Sequence, residues 1–140
     1  MSAGSALYEL LKADAPIAAV VGSGSAARIF PGRLPQGQTL PAIRYLKIAG
    51  THHRSLAGPV ALRELVFQID CYAATDDAAE SLAKLVSDRL DGFFGVPAAG
   101  ERFHAVLLED EDATFLGPVD AGDVGRYVYS QDFRIFYVAA

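Results

Sequence analysis

The sequence predicts an α+β fold: a three- to four-stranded, mainly antiparallel sheet with helices packed on one face and a long loop between two of its strands. Three observations carry this. Residues 65–72 alternate apolar and mixed side chains with a period of two, residues 76–91 hold apolar side chains at helical spacing behind a capping threonine, and residues 126–138 alternate again over a length suited to a central strand. A doubly wound sheet would need more regular alternation of strand and helix.

Near the N-terminus, Leu7, Leu10 and Leu11 recur at three- and four-residue spacing with Tyr8 alongside, which predicts a short amphipathic helix over 5–13. Asp14 serves as an N-cap, with Pro16 in the first turn of a second short helix over 15–21 that Gly22 closes. Residues 22–25 form a turn, Ile29 and Phe30 an edge strand, and the Pro/Gly-rich segment 31–37 a structured turn. Ile43, Tyr45, Leu46 and Ile48 then make a strand over 42–49 exposed on one side, with Arg44 and Lys47 breaking its alternation.

The connection 50–63 is the anomaly. A hairpin needs only ~2–5 loop residues, so a polar stretch this long is expected to be functional. It carries His52, His53, Arg54 and Arg63 in a chain that is otherwise net acidic, a contrast that points to contact with another surface. Beyond it, Leu65, Phe67, Ile69 and Cys71 form an apolar face, and Val66, Gln68, Asp70 and Tyr72 a mixed one suited to an oligomer contact.

Thr75 caps the helix over 76–91, which has Asp76 and Asp77 in its positive first turn and Arg89 near its negative end. Its buried stripe is Ala79, Leu82, Val86 and Leu90, and Glu80 with Lys84 is expected as an outward ion pair. Residues 93–100 read as a loop, 103–108 as a strand, and Glu109, Asp110, Glu111 and Asp112 as a solvated acidic edge. Gly117, Pro118, Gly122 and Gly125 mark the loop before the last strand. That strand places Tyr127, Tyr129, Phe133, Ile135 and Tyr137 on one face, interrupted only by Gln131.

With 140 residues the chain fits a single domain over 1–140 that buries its own core without a metal or disulfide. The one cysteine, Cys71, sits in an apolar strand pattern and is expected to act as a small hydrophobe. No apolar run approaches the ~18 residues of a membrane span. The first residues lack the basic and apolar regions of a secretory signal, so an intracellular origin is expected. Seventeen acidic against twelve basic side chains argue against a phosphate-binding face spread over the whole domain, so no direct sequence-specific nucleic-acid binding is expected.

A search for chemistry returns none. Gly22 and Gly24 follow a helical pattern and lack a third glycine, so they do not make a phosphate loop. His52, His53 and His104 would bind a metal only if the loop folded back onto the sheet. The acidic run lacks the alternating ligands and pivotal glycine of a calcium loop. Ser55 and Ser130 lack the surroundings of a nucleophile, and Asp70 with Asp132 could pair only if their strands are neighbours. No enzyme, cofactor or metal site is expected.

The order Leu7-Tyr8-x-Leu10-Leu11, then Arg28-Ile29-Phe30-Pro31-Gly32-x-x-Pro35-Gln36-Gly37, Leu40-Pro41-Ala42-Ile43-x-Tyr45, Gln68-Ile69-Asp70-Cys71-Tyr72-Ala73 and Ser130-Gln131-Asp132-Phe133-Arg134-Ile135-Phe136-Tyr137 resembles the tail completion proteins of long-tailed bacteriophages and prophage-like particles, also described as tail terminator or head–tail joining proteins. The resemblance runs over nearly the whole chain. It implies a small structural subunit, assembled in a bacterial cytoplasm into a ring, generally a hexamer, at the head-proximal end of the tail. Its implied partners are itself, the tail tube protein and a head–tail connector or stopper. It also implies that the loop 50–63 becomes ordered in the ring.

A flexible segment that orders only on binding gives up entropy at that step, which disfavours premature rings. Ring closure needs two different patches per subunit. The basic loop with Arg54 and Arg63 is one candidate, and Glu109, Asp110, Glu111 and Asp112 are the other; Gln68, Asp70 and Asp132 complete the expected assembly surface. Competing expectations are a head-completion adaptor or tail-tube protein of the same particle, and a small ligand-binding or hydrolytic α+β domain built on Asp70 and Asp132.

Overall fold

Leu7, Leu10 and Leu11 do fall on one side of a helix, and all three are buried together with Ala3 and Ala6. The computed structural model describes residues 3–35, 38–55, 58–98, 101–117 and 125–139. Helices α1 (Ala3–Ala13) and α2 (Ala15–Val21) are followed by one 3-10 turn, Gly24–Ala26, and by strands β1 (Ile29–Pro31), β2 (Ala42–Ser55) and β3 (Gly58–Ala73). Helix α3 (Asp76–Leu90) leads to β4 (Gly95–Ala98), β5 (Glu101–Leu116) and β6 (Arg126–Ala139).

Local chemistry sets the helix ends. The Asp14 carboxylate accepts from the Ile17 amide at 3.3 Å, and the Thr75 hydroxyl accepts from the Ala78 amide at 3.2 Å. Each satisfies one of the amides that a helix start leaves unpaired. Past α3, Gly92 takes a φ of 80°, and its amide donates to the Val106 carbonyl at 2.8 Å, tying the helix exit to β5. Arg28 anchors the other side, donating to the carbonyls of Val20 and Pro41 at 2.8 Å each.

The strands form one sheet in the order β1-β2-β3-β6-β5-β4, with β1 parallel to β2 and every other pair antiparallel. The α+β class and the mainly antiparallel plan therefore hold, while the sheet has six strands instead of three or four. The two outermost strands are short: β1 is the expected edge strand and β4 is new. β4 lies where a loop is expected, because the backbone of Gly95 and Ala98 can pair with β5 despite the glycine and proline around it.

All three helices contribute to one core on one face of the sheet. Leu7, Leu11, Ile17, Leu82, Val86 and Leu90 pack there with Ile43, Phe67, Ile69, Phe103, Phe133 and Ile135. Burial of such side chains contributes roughly 25 cal/mol per Å² of apolar surface removed from water. Ala79, Leu82, Val86 and Leu90 form the expected stripe, with Ala83 added to it. Lys84, however, pairs with Asp88 at 3.1 Å and not with Glu80, which borders a cleft between α3 and β6.

Two further expectations change. The connection 50–63 is not a loop: β2 and β3 stay paired through it, with Thr51 opposite Glu64 and His52 opposite Arg63 and, past a register shift between His52 and Arg54, Arg54 opposite Pro59 and Ser55 opposite Gly58. Backbone pairing needs no apolar side chains, so a polar stretch can extend a hairpin. Likewise the acidic run lies inside a 16-residue strand, paired along one side with β6. Parts of the expected turns, Gln36 with Gly37 and the segment 118–124, lie outside the described residues.

Candidate functional site

Strand β6 accompanies β3 only as far as Leu62, opposite Val138. Beyond that level the β2–β3 hairpin continues as a two-stranded arm past the body of the sheet. Backbone pairing places Arg54 on this arm just past His53, while His52 stands opposite Arg63 at its root, where Arg63 is exposed. The side chains of 52–61 lie outside the described residues. From Lys47 to Arg63 the chain has three basic residues, Lys47, Arg54 and Arg63, and no acidic one.

The helix-free face of the sheet gathers a second set. Gln68 stands opposite Leu46 and Asp132, Asp70 opposite Arg44 and Ser130, and Asp110 opposite Asp132. Asp70 is 1% exposed, so its charge needs partners. It has them: Arg44 Nε donates to Oδ2 at 2.9 Å with a second guanidinium nitrogen on the same oxygen, and Gln68 Nε2 donates to Oδ1 at 2.9 Å. Arg134 similarly bridges Glu109, at 2.8 Å, and Glu64. Those hydrogen bonds, Glu109 first, hold the Arg134 pKa above its usual value.

Asp132 differs from both. Desolvation, and then the carboxylates of Asp110, Asp70 and Glu109, push its carboxyl above the ordinary carboxylate range. It borders an open polar depression of about 200 Å³ shared with Gln68, Asp110, Glu111, Asp112 and Ser130. Asp70 and Asp132 do lie on neighbouring strands and on one face, as a carboxylate pair requires. Yet the depression is a shallow patch of acidic side chains, not a deep apolar pocket that would hold a small substrate.

The acidic run divides between the two faces. Asp110 and Asp112 look toward the helix-free face with Asp132 and Ser130, whereas Glu111 stands opposite the buried Gln131. Glu111 accepts from Gln131 Nε2 at 3.2 Å and from the Tyr129 hydroxyl at 3.4 Å. The Tyr129 phenol is raised by desolvation and then by Glu111. No other strand among the described residues pairs with the outer side of 109–116, and every residue of that segment is exposed. It ends in Phe115 and Leu116, exposed by 50% and 43%, with the Phe115 ring 4.8 Å from that of Tyr127.

The structure thus joins Gln68, Asp70, Asp110, Asp112 and Asp132 on one face and sets His52, His53, Arg54 and Arg63 apart from them, along the root and the length of the arm. His104, on β5, is separated from the histidines of β2 by β3 and β6. Among the described residues no group of three or more His, Cys, Asp and Glu side chains is placed to hold a metal ion. None of the described helices is long and apolar enough to cross a membrane. Arg44, Glu64, Arg134 and the exposed pair Phe115 and Leu116 are functional candidates that sequence periodicity passes over. Only the register of β2, β3 and β6 shows that Arg44 meets Asp70.

The family model for Tail completion protein gp17 matches residues 5–137. Among solved structures, a chain in the "Virion of native gene transfer agent (GTA) particle" is similar over 99% of this chain and 96% of that chain, with a TM-score of 0.63. The identity is 22%, so the likeness speaks for the fold. No curated protein matches the chain.

Proposed function

We propose that this chain, which belongs to the Tail completion protein gp17 family, forms a ring at the head-proximal end of a phage-type tail, where it stops growth of the tail tube and joins it to the head connector. Family membership makes it a structural protein of the tail of a phage or phage-like particle. The ring, generally a hexamer in proteins it resembles, and the junction with a tail tube protein and a connector or stopper are the finer reading. That reading needs no cofactor and no catalytic residue.

The observation that carries it beyond family membership is the projecting arm. A two-stranded ribbon is marginally stable by itself in water, so an arm of this kind gains by packing against another surface. Its basic composition differs from the acidic strand half of β5, so one subunit offers two unlike patches, as a closed rotary assembly requires.

Negative-stain imaging of the purified protein with and without tail tubes tests the assignment. Closed rings on one end of the tubes are expected, together with tubes of defined length. Filaments of the protein alone would instead identify a tube subunit, and binding to heads but never to tubes would identify a head-completion adaptor.

A further inference from the structure

We infer that neighbouring copies join by β-sheet addition, the outer edge of the β2 arm of one copy pairing antiparallel with the free outer edge of β5 of the next. This deepens the ring assignment and rests on it, while naming a contact that the assignment does not require. Each edge is open for a visible reason. β1 covers β2 only at Ile43, Arg44 and Tyr45, so 46–55 has no outer strand among the described residues. β4 and the exit of α3 cover β5 only from Glu101 to Leu108, where the Leu108 amide donates to the Asp91 carboxylate at 3.0 Å. Residues 109–116 have no outer strand among the described residues, and only the Glu111 amide is engaged locally, donating to the Asp110 carboxylate at 3.0 Å.

Unpaired edges carry rows of amide and carbonyl groups that template pairing with another chain. These two edges suit each other. From Leu107 to Leu116 the chain has four acidic residues and no basic one, against the three basic and no acidic residues from Lys47 to Arg63. Exposed apolar side chains accompany the charges, Ile48 on β2 and Phe115 and Leu116 on β5.

Direction and register agree as well. β2, β3, β6 and β5 alternate in direction, so a second copy in the same orientation lays its β2 antiparallel to β5. Leu46 and Asp110 stand at one level of the sheet, both in line with Gln68 and Asp132. The free part of β2 lies above that level and the free part of β5 below it. Docking therefore requires a stagger of roughly six to eight residues along the strands. Without the stagger, β4 and the α3 exit occupy the place of the arm; with it, the neighbour's β1 passes below Leu116 and β4 passes above the arm tip. A sheet that closes on itself needs such a stagger, since its strands must tilt against the ring axis.

Cross-linking tests this. Thr51 and Ala113 are exposed, sit near the middle of the two edges and carry no charge, and the sole natural cysteine is buried. The double variant Thr51→Cys/Ala113→Cys, treated with a short bis-maleimide in the presence of tail tubes, is expected to give a ladder of oligomers ending in a closed ring, while each single variant stays monomeric on a denaturing gel. Arg54→Glu in the double variant should lower ladder yield about tenfold, and adding Asp110→Lys with Asp112→Lys should restore it. Circular dichroism of each variant checks folding. Rings seen by imaging without a ladder overturn the edge contact and leave the ring assignment standing. Dimers from a single variant overturn the head-to-tail pairing, and absence of both rings and ladder overturns contact and assignment together.

Discussion

Replacing Arg44 by alanine should destabilise the fold more than any other single change on the helix-free face. Asp70 is 1% exposed and receives its charged donors from Arg44 alone, leaving only the neutral amide of Gln68 when the guanidinium is removed. Removing one partner of a buried ion pair costs about 3–5 kcal/mol. The Arg44 side chain is itself 25% exposed, so water enters part of the vacated space and the expected cost falls to about 2–3 kcal/mol. At ~2.1 cal/mol/K of unfolding entropy per residue, a chain of this length loses roughly 3.4 °C per kcal/mol, which predicts a Tm lower by about 7–10 °C. The measurement is thermal and urea unfolding of wild type, Arg44→Ala, Asp70→Asn and the double variant. With Asn at 70 no charge is stranded, so Arg44→Ala should then cost about 1.5–2 kcal/mol less than in wild type. Costs that add to within ~0.5 kcal/mol would refute the claim that the pair holds β2 to β3.

Burial first, and the neighbouring Asp70 second, push the Cys71 thiol well above its ordinary range, so iodoacetamide at pH 8 should leave it unlabelled in the native protein and modify it on unfolding. Native labelling within minutes would contradict its place in the core. Gly125 has a φ of 79°, and an added Cβ would meet the Leu116 carbonyl oxygen at 2.7 Å, so Gly125→Ala should cost about 2 kcal/mol in urea unfolding; an unchanged midpoint would be inconsistent with that close approach. Because the folded pKa of Asp132 lies above its unfolded value, ionisation costs stability as pH rises through the folded pKa, and the cost is absent below the unfolded one. Asp132→Asn should therefore stabilise the protein by about 0.5 kcal/mol at pH 7, with the gain vanishing near pH 3 in paired denaturation curves.

Periodicity made the core legible. The helical spacing of Leu82, Val86 and Leu90 and the alternation of Phe67, Ile69 and Cys71 state which side faces inward, because burial on one face leaves that pattern in the side chains. Backbone pairing leaves no such trace. His52, His53 and Arg54 look like loop because their side chains are polar, yet a ribbon at and beyond the end of the sheet has no core to face. The acidic run was hidden for the same reason, since an edge protected by charges carries residues otherwise common in loops. Long-range register was beyond reach too: Arg44 breaks the alternation of its own strand, and its partner Asp70 lies 26 positions away across the hairpin.

The charge pattern on the two edges also bears on which assemblies are excluded. Two copies meeting by their β5 edges would set Glu109, Asp110, Glu111 and Asp112 against the same four residues, and two meeting by their arms would set Arg54 and Lys47 against their equivalents. Like charges opposite one another across a strand pair are destabilising, so both twofold dimers are disfavoured. The unlike pairing of arm with acidic strand is the one of the three that brings opposite charges together, and it is the one that propagates head to tail. Opposed surface charges act more on encounter than on final affinity, and salt screens them over about 8 Å at physiological ionic strength. The proposed ring should accordingly assemble on tail tubes more slowly as salt is raised from 0.05 to about 0.5 M, while rings already closed should persist on the inferred backbone hydrogen bonds and apolar contacts.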